Sequence, residues 1–221
     1  MQLSEFKDLT IKAELGITAE FGRILSLVDY GNVDYWYDSD RFSADGEILK
    51  EDEKLNVGIE KLKDFCDIFS IKTKFYYGMD SKNKGSIHHI SLARDAFGKS
   101  NVSTKEIQHI RHYLNDSEKK GNTRSVTYDT AGAYVSIPKC NFDVEICVDA
   151  IRLMDSYDTL CLFSSDADFI ALFRFLKYKK KKIILIKGGH ALHDLILQSN
   201  LVIKAQDIKK NLVFIKQKSR R

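Results

Sequence analysis

Hydrophobic residues along the chain fall into two recurring patterns. Short unbroken apolar runs occur in Arg23-Ile-Leu-Ser-Leu-Val28, Leu160-Cys-Leu-Phe163, Ile183-Ile-Leu-Ile186 and Leu201-Val-Ile203, and a shorter one in Lys72-Thr-Lys-Phe-Tyr-Tyr-Gly78. Runs of this length, bounded by polar or glycine-containing turns, predict buried strands. Between them apolar residues recur at three- and four-residue steps. Leu55, Ile59, Leu62, Phe65, Cys66 and Phe69 predict one amphipathic helix over 47–69. Val144, Cys147, Val148, Ile151 and Met154 predict an apolar helix face within 141–153, and Phe169, Leu172, Phe173 and Leu176 another. Leu192, Leu195 and Ile196 mark a short one. Strands alternating with helices imply parallel crossovers and a three-layer α/β/α architecture with a parallel sheet.

Three regions break the alternation. Residues 1–20 carry mixed charge and weak amphipathicity, which fits a short helix or an N-terminal arm. Residues 80–122 are rich in Lys, His, Ser and Asn and are expected to be a largely helical insertion, with Ser103 and Glu106 spaced as a capping box before Ile107, Ile110 and Leu114. His109 and His112 are three apart, but no third ligand accompanies them, so they read as solvent-facing. Arg124–Tyr128 and Tyr134–Ile137 are two extended runs, compatible with a hairpin. Residues 207–221 read as a basic C-terminal tail, leaving 21–206 as the main domain.

Candidate chemistry sits where strands end. Asp29 leaves the first strand and is followed by Gly31 and Asn32. Asp166 and Asp168 follow Ser164 and Ser165 after the 160–163 run. In an open parallel sheet ligands bind beyond the carboxyl ends of the strands. Carboxylates crowded there repel one another unless a cation or a proton intervenes. Capping and turn formation are the alternative roles for these same residues. In 141–153, Asp143 in the first helical turn can reach such a site; Asp149 lies well round the axis and is assigned to a supporting position or to the surface near Arg152. Oxygen donors grouped in this way suit Mg²⁺ or Mn²⁺. Lys187 and the glycines after it could meet a phosphate at the same edge, whereas Lys177–Lys182 lies at the opposite one. Trp36 and Tyr37 belong to a polar, aromatic stretch, 34–46, able to stack on bases or to anchor a loop.

Composition narrows the class only a little. The chain has 221 residues, a net charge of +4 and 30% charged residues, ordinary for a globular protein and mildly favourable to an anionic partner. Its four cysteines form no CxxC pair and are expected to be reduced core thiols in a cytoplasmic protein. Neither a signal peptide nor a membrane-length apolar run is visible.

An ordered set of motifs carries a resemblance. Val28-Asp-Tyr-Gly-Asn32, Tyr76-Tyr-Gly78, Phe142-Asp-Val-Glu-Ile146 with Val148-Asp-Ala150, Tyr157-Asp158 and Ser164-Ser-Asp-Ala-Asp-Phe169 resemble the NYN domain of the PIN-like nuclease superfamily, especially its LabA-like branch. The likeness spans about residues 22–204. It implies a Rossmann-like fold and metal-dependent ribonuclease activity. Residue by residue it places the family's first acid and asparagine on Asp29 and Asn32, its helix-start acid on Asp143, and its last acids on Asp166 and Asp168. Two departures stand out: Ser165 replaces the usual glycine, and Asn200 the usual late aspartate.

The resulting expectation is an endoribonuclease using Mg²⁺ or Mn²⁺, with Asp29, Asp143, Asp166 and Asp168 as ligands and Asn32 positioning the site. Asp149, Ser164 and Ser165 support them, and Tyr30, Trp36 and Lys187 contact RNA. A non-catalytic RNA-binding or regulatory module on the same fold is the alternative. No membrane partner is expected, and homodimerisation is left open.

Overall fold

A computed structural model describes residues 3–115, 117–118 and 125–218. Along the chain come α1 (Leu3–Glu14), β1 (Ile24–Asp29), α2 (Tyr30–Val33), β2 (Glu53–Val57), α3 (Ile59–Asp67) and β3 (Ser70–Met79). They are followed by α4 (Lys84–Phe97), β4 (Val102–Glu106), β5 (Gln108–Tyr113), β6 (Thr127–Asp129), β7 (Gly132–Lys139) and α5 (Asp143–Arg152). The last elements are β8 (Thr159–Phe163), α6 (Ile170–Tyr178), β9 (Lys182–Lys187), α7 (His193–Gln198), β10 (Leu201–Lys204), α8 (Lys209–Leu212) and β11 (Val213–Gln217).

Six strands form a parallel sheet in the order β10-β9-β8-β1-β3-β4. The chain lays β1 in the middle, builds outward through β3 and β4, then returns to β8 and builds the other way. The order therefore reverses between β1 and β8, and a crevice opens there at the carboxyl edge. Register pairs Val28 with Phe163, so Asp29 and Ser164 leave the sheet side by side.

Period-2 alternation explains why both faces are covered. On β1, β8 and β9, Ile24, Val28, Cys161, Phe163, Ile184 and Ile186 join the core beneath α3 and α4. Leu25, Leu27, Leu160, Leu162, Ile183 and Leu185 join the core beneath α5, α6 and α7. Each such side chain, essentially inaccessible to water, contributes about 1.5–3 kcal/mol through burial. The parallel sheet with helices on both sides agrees with the three-layer expectation.

Several local expectations are corrected. The helix expected over 47–69 is confined to α3, because Leu55 lies in β2, which pairs antiparallel with β11 through Val57–Val213. That pairing also folds much of the basic tail into a two-stranded ribbon; residues 219–221 lie outside the described residues. The described part of 80–122 is not helical throughout: α4 is followed by β4, the sixth strand of the main sheet, and by β5. Ser103 and Glu106 thus lie on a strand rather than capping a helix. The two extended runs do form a hairpin, β6–β7, which with β5 makes a separate three-stranded sheet; Arg124 lies outside the described residues. Residues 3–14 are a helix. Cys66 and Cys161 are buried free thiols, raised by burial, and Cys140 and Cys147 are half-buried and unpaired. No helix among the described residues is long and apolar enough to cross a membrane.

Candidate metal centre

The site is built from three chain ends at the carboxyl edge. β1 delivers Asp29, which occupies the position before the single-turn α2 without a side-chain capping bond. β8 delivers Ser164, after which Asp166 takes an extended conformation and its carboxylate accepts the Asp168 amide at 3.0 Å. That bond fixes the tight turn carrying both acids. α5 delivers Asp143 in its first turn, held by Asn141, whose amide donates to Asp143 Oδ2 at 2.6 Å while its oxygen accepts the Asp143 amide at 2.7 Å.

Asp143, Asp166 and Asp168 each offer a carboxylate oxygen, and these atoms lie within 4.8 Å of one another. Asp143 and Asp166 are half-buried and Asp168 is exposed. Three carboxylate oxygens at such spacing are a donor set that a hard divalent cation fits. Asp29 stands beside this trio rather than within it. Burial raises its carboxyl to about 6, opposed by the Ser164 hydroxyl and reinforced by the charges of Asp143 and Asp166. Burial and the neighbouring Asp166 and Asp168 likewise raise Asp143, against the pull of Asn141. The cluster thus carries uncompensated negative charge, in the form a bound cation relieves.

A second layer of contacts holds this edge together. Ser164 Oγ donates to Asp29 at 3.0 Å and accepts the Asp166 amide at 3.2 Å, so it links the β1 and β8 acids. Asn32 Oδ1 accepts from Trp36 Nε1 at 2.9 Å and from the Ser165 amide at 3.2 Å. Ser165, where the resemblance expects glycine, uses its hydroxyl to bond the Gly188 carbonyl at 2.6 Å, tying the β8 turn to the β9 turn. Asn200 is likewise given a structural task, accepting the Ile183 amide at 2.9 Å.

The remaining site expectations divide. Trp36 stacks on Phe163 at 6.4 Å and packs so closely on Gly188 that a Cβ there would overlap the indole. It anchors its loop and orients Asn32, while also lining a small cavity with Lys187 and Lys204. Lys187 folds back onto the Gly189 carbonyl. Tyr30 is corrected: it is fully buried, its hydroxyl donates to the Val57 carbonyl, and it has no face to offer RNA. The α5 face is also corrected. Val144, Val148 and Ile151 are exposed, whereas Ile146, Asp149 and Ala150 are buried. Asp149 points inward because Lys74 and the Tyr76 hydroxyl bind it. Burial works against its charge, but those two partners outweigh it and hold the carboxyl below its ordinary range. It braces α5 against β3, behind Asp143.

Asn141, Lys74 and Tyr76 were not among the expected site residues. An Asx residue two positions before a helix-start acid was the available signal for Asn141. For Lys74 no local signal exists, since its partner lies on a distant helix; Tyr76 stands in one of the motifs that carry the resemblance, with no role attached to it there.

Comparison with known proteins agrees with the geometry. A crystal structure of a protein of unknown function from Vibrio parahaemolyticus shares the fold at a TM-score of 0.55 and 17% identity, covering 87% of this chain and 96% of that one. No curated protein matches the chain. The family model of the NYN domain matches residues 23–206, which takes in all three chain ends that supply the acids; this chain belongs to the NYN domain family, with its PIN-like nuclease fold.

Proposed function

We propose that the protein is a metal-dependent endoribonuclease, hydrolysing RNA phosphodiester bonds at the β1–β8 crevice. The observation that carries this reading is the convergence of Asp143, Asp166 and Asp168 oxygens within 4.8 Å at the edge where the parallel sheet changes direction. Membership of a family of nuclease fold supplies the reaction class.

Asp143, Asp166 and Asp168 would hold Mg²⁺ or Mn²⁺, with Asp29 as a neighbouring donor. Such an ion supplies charge to draw in the phosphodiester, acidify a water and stabilise the leaving oxygen. The chain's own residues do the positioning. Ser164 and Asn32 set the relative places of the Asp29 and Asp166 segments, and Asn141 holds Asp143 in the orientation that faces them. Trp36 and Lys187 line a small cavity at the β9 turn, which Ser165 ties to the turn carrying the acids, and RNA leaving the acids would pass there. Incubating labelled single-stranded RNA with the protein, with and without Mn²⁺, tests the reading: internal cuts dependent on the ion support it, and RNA left intact under saturating ion argues against it.

A further inference from the structure

A second cavity, of about 540 Å³, lies on the α3–α4 side of the sheet. The β2–β11 ribbon forms one wall, and the N-terminal parts of α3 and α4 form the other. Because α3 leads into β3 and α4 follows it, both first turns stand at the sheet's carboxyl edge. Cross-strand pairing puts Asn56 opposite Phe214 and Lys54 opposite Lys216, so Phe214 and Lys216 share one face of the ribbon. Ile59 and Leu92 complete an apolar floor with Phe214.

The charge in this cavity is one-sided. Lys61 and Lys216 line it against a single acid, Glu60, with the imidazoles of His88 and His89 beside them. Among the described residues neither Lys61 nor Lys216 has a carboxylate within ion-pair distance. Lys61 instead donates to the Val213 carbonyl at 2.7 Å. Half-buried Asp34 is the other acid whose charge is felt with that of Lys216. The wall is also short of hydrogen bonds. Asn56 Oδ1 and His89 Nε2 are buried without a partner, two of the four such side-chain atoms among the described residues. Unpartnered buried polar atoms are rare, and these two belong to residues that line one cavity. Burial and the nearby Lys216 and His88 lower the His89 imidazole to about 4, so its neutral ring is a hydrogen-bonding group rather than a charge.

We infer that this cavity binds a nucleoside phosphomonoester, its base against Phe214, Ile59 and Leu92 and its phosphate toward Lys216, Lys61 and His88. An apolar wall beside a concentrated cationic rim matches a ligand with a flat ring at one end and a dianion at the other. A cavity of this volume falls within the usual range for small-molecule sites, about 300–1,000 Å³. The ligand has two sources: a free nucleotide, or the 5′-phosphorylated end of an RNA whose body runs to the acid cluster. The first is independent of the nuclease reading; the second rests on it.

Calorimetric titration in EDTA tests this without requiring cleavage or a loaded metal centre. The titrants are adenosine 5′-monophosphate, adenosine, inorganic phosphate, and a pentaribonucleotide with or without a 5′-phosphate. The monophosphate is expected to bind at least tenfold more tightly than adenosine or phosphate. Lys216→Glu and His88→Glu, both at exposed positions, are each expected to weaken it at least tenfold, with circular dichroism verifying the fold. Preference for the 5′-phosphorylated pentamer over its hydroxyl counterpart assigns the RNA end; binding of the mononucleotide alone assigns the free ligand. Absence of saturable monophosphate binding, or equal affinity in wild type and both folded variants, overturns the inference.

Discussion

Ser164 donates its hydroxyl to Asp29 at 3.0 Å and so joins the ends of two paired strands that arise 135 residues apart in the chain. The bond is the largest influence opposing the burial that raises the Asp29 carboxyl to about 6. Ser164→Ala removes it while leaving the apolar environment in place. A hydrogen bond to a charged group contributes about 1.5–3 kcal/mol, so the Asp29 carboxyl should rise by about one pH unit or more. The pH–rate profile of RNA cleavage is expected to shift its acid limb upward. An unchanged acid limb would remove Ser164 from the account.

Asp29 also sets a pH dependence of stability in the ion-free protein. Its folded value of about 6 lies above the ordinary 3.8. The fold therefore holds the proton more tightly than the unfolded chain does. The stability this contributes is full below about pH 4 and is lost as pH rises through about 6. Asn at this position has no proton to lose. In EDTA, Asp29→Asn should gain on wild type by roughly 2–3 kcal/mol as pH rises from about 4 to about 7.5. Chemical denaturation at several pH values reads that difference. Saturating Mn²⁺ is expected to reverse it, because the ion favours the wild-type carboxylate.

The bracing of α5 on β3 gives a prediction about the scaffold. Lys74, Asp149 and Tyr76 form a buried cluster behind Asp143. Lys74→Met leaves the Asp149 carboxylate with only the exposed Arg152 at 3.8 Å, and breaking a largely buried pair of this kind costs up to roughly 3 kcal/mol. The double variant Lys74→Met/Asp149→Leu should recover most of that loss in urea unfolding. Additive losses in the two single variants would show that the pair is not coupled.

Legibility in the sequence followed the range of the interaction. The strands at 24–29, 159–163 and 182–187 are evident because each is buried on both faces and reads as an unbroken apolar run. Asp29, Asp166 and Asp168 were visible as acids at the ends of those runs. Leu55 misled because its spacing fits the α3 stripe, while the partner that makes it a strand residue, Ile215, lies near the other end of the chain. On α5 the apolar stripe Val144–Val148–Ile151 suggested the wrong inward face. The true one carries Asp149, and Lys74, 75 residues earlier, together with Tyr76 on the same strand, makes a carboxylate acceptable there. The role of Ser165 was equally hidden, since its partner is a backbone carbonyl in a different turn.

Gly188 offers a steric test of the Trp36–Asn32 contact. Its φ is not in the left-handed region, so alanine is acceptable to the backbone, yet the added methyl would overlap the Trp36 ring. Gly188→Ala should displace the indole and take from Asn32 the donor at 2.9 Å. Cleavage is expected to fall about tenfold or more, as when a positioning group moves by an ångström. Quenching of Trp36, the chain's single tryptophan, reports the displacement. A shifted emission spectrum with full activity would separate Trp36 from the site.

The most direct measurement is the Mn²⁺-dependent cleavage rate of a labelled single-stranded RNA by Asp166→Asn beside wild type, with both proteins shown to be folded. Asp166 belongs to the converging trio and lies beside Asp29. Replacing one charged ligand with a neutral amide should lower the rate at saturating RNA by at least about a hundredfold and weaken Mn²⁺ binding in parallel. A folded Asp166→Asn protein that cleaves RNA at the wild-type rate, with the same ion requirement, would contradict the assignment of these carboxylates as the metal centre.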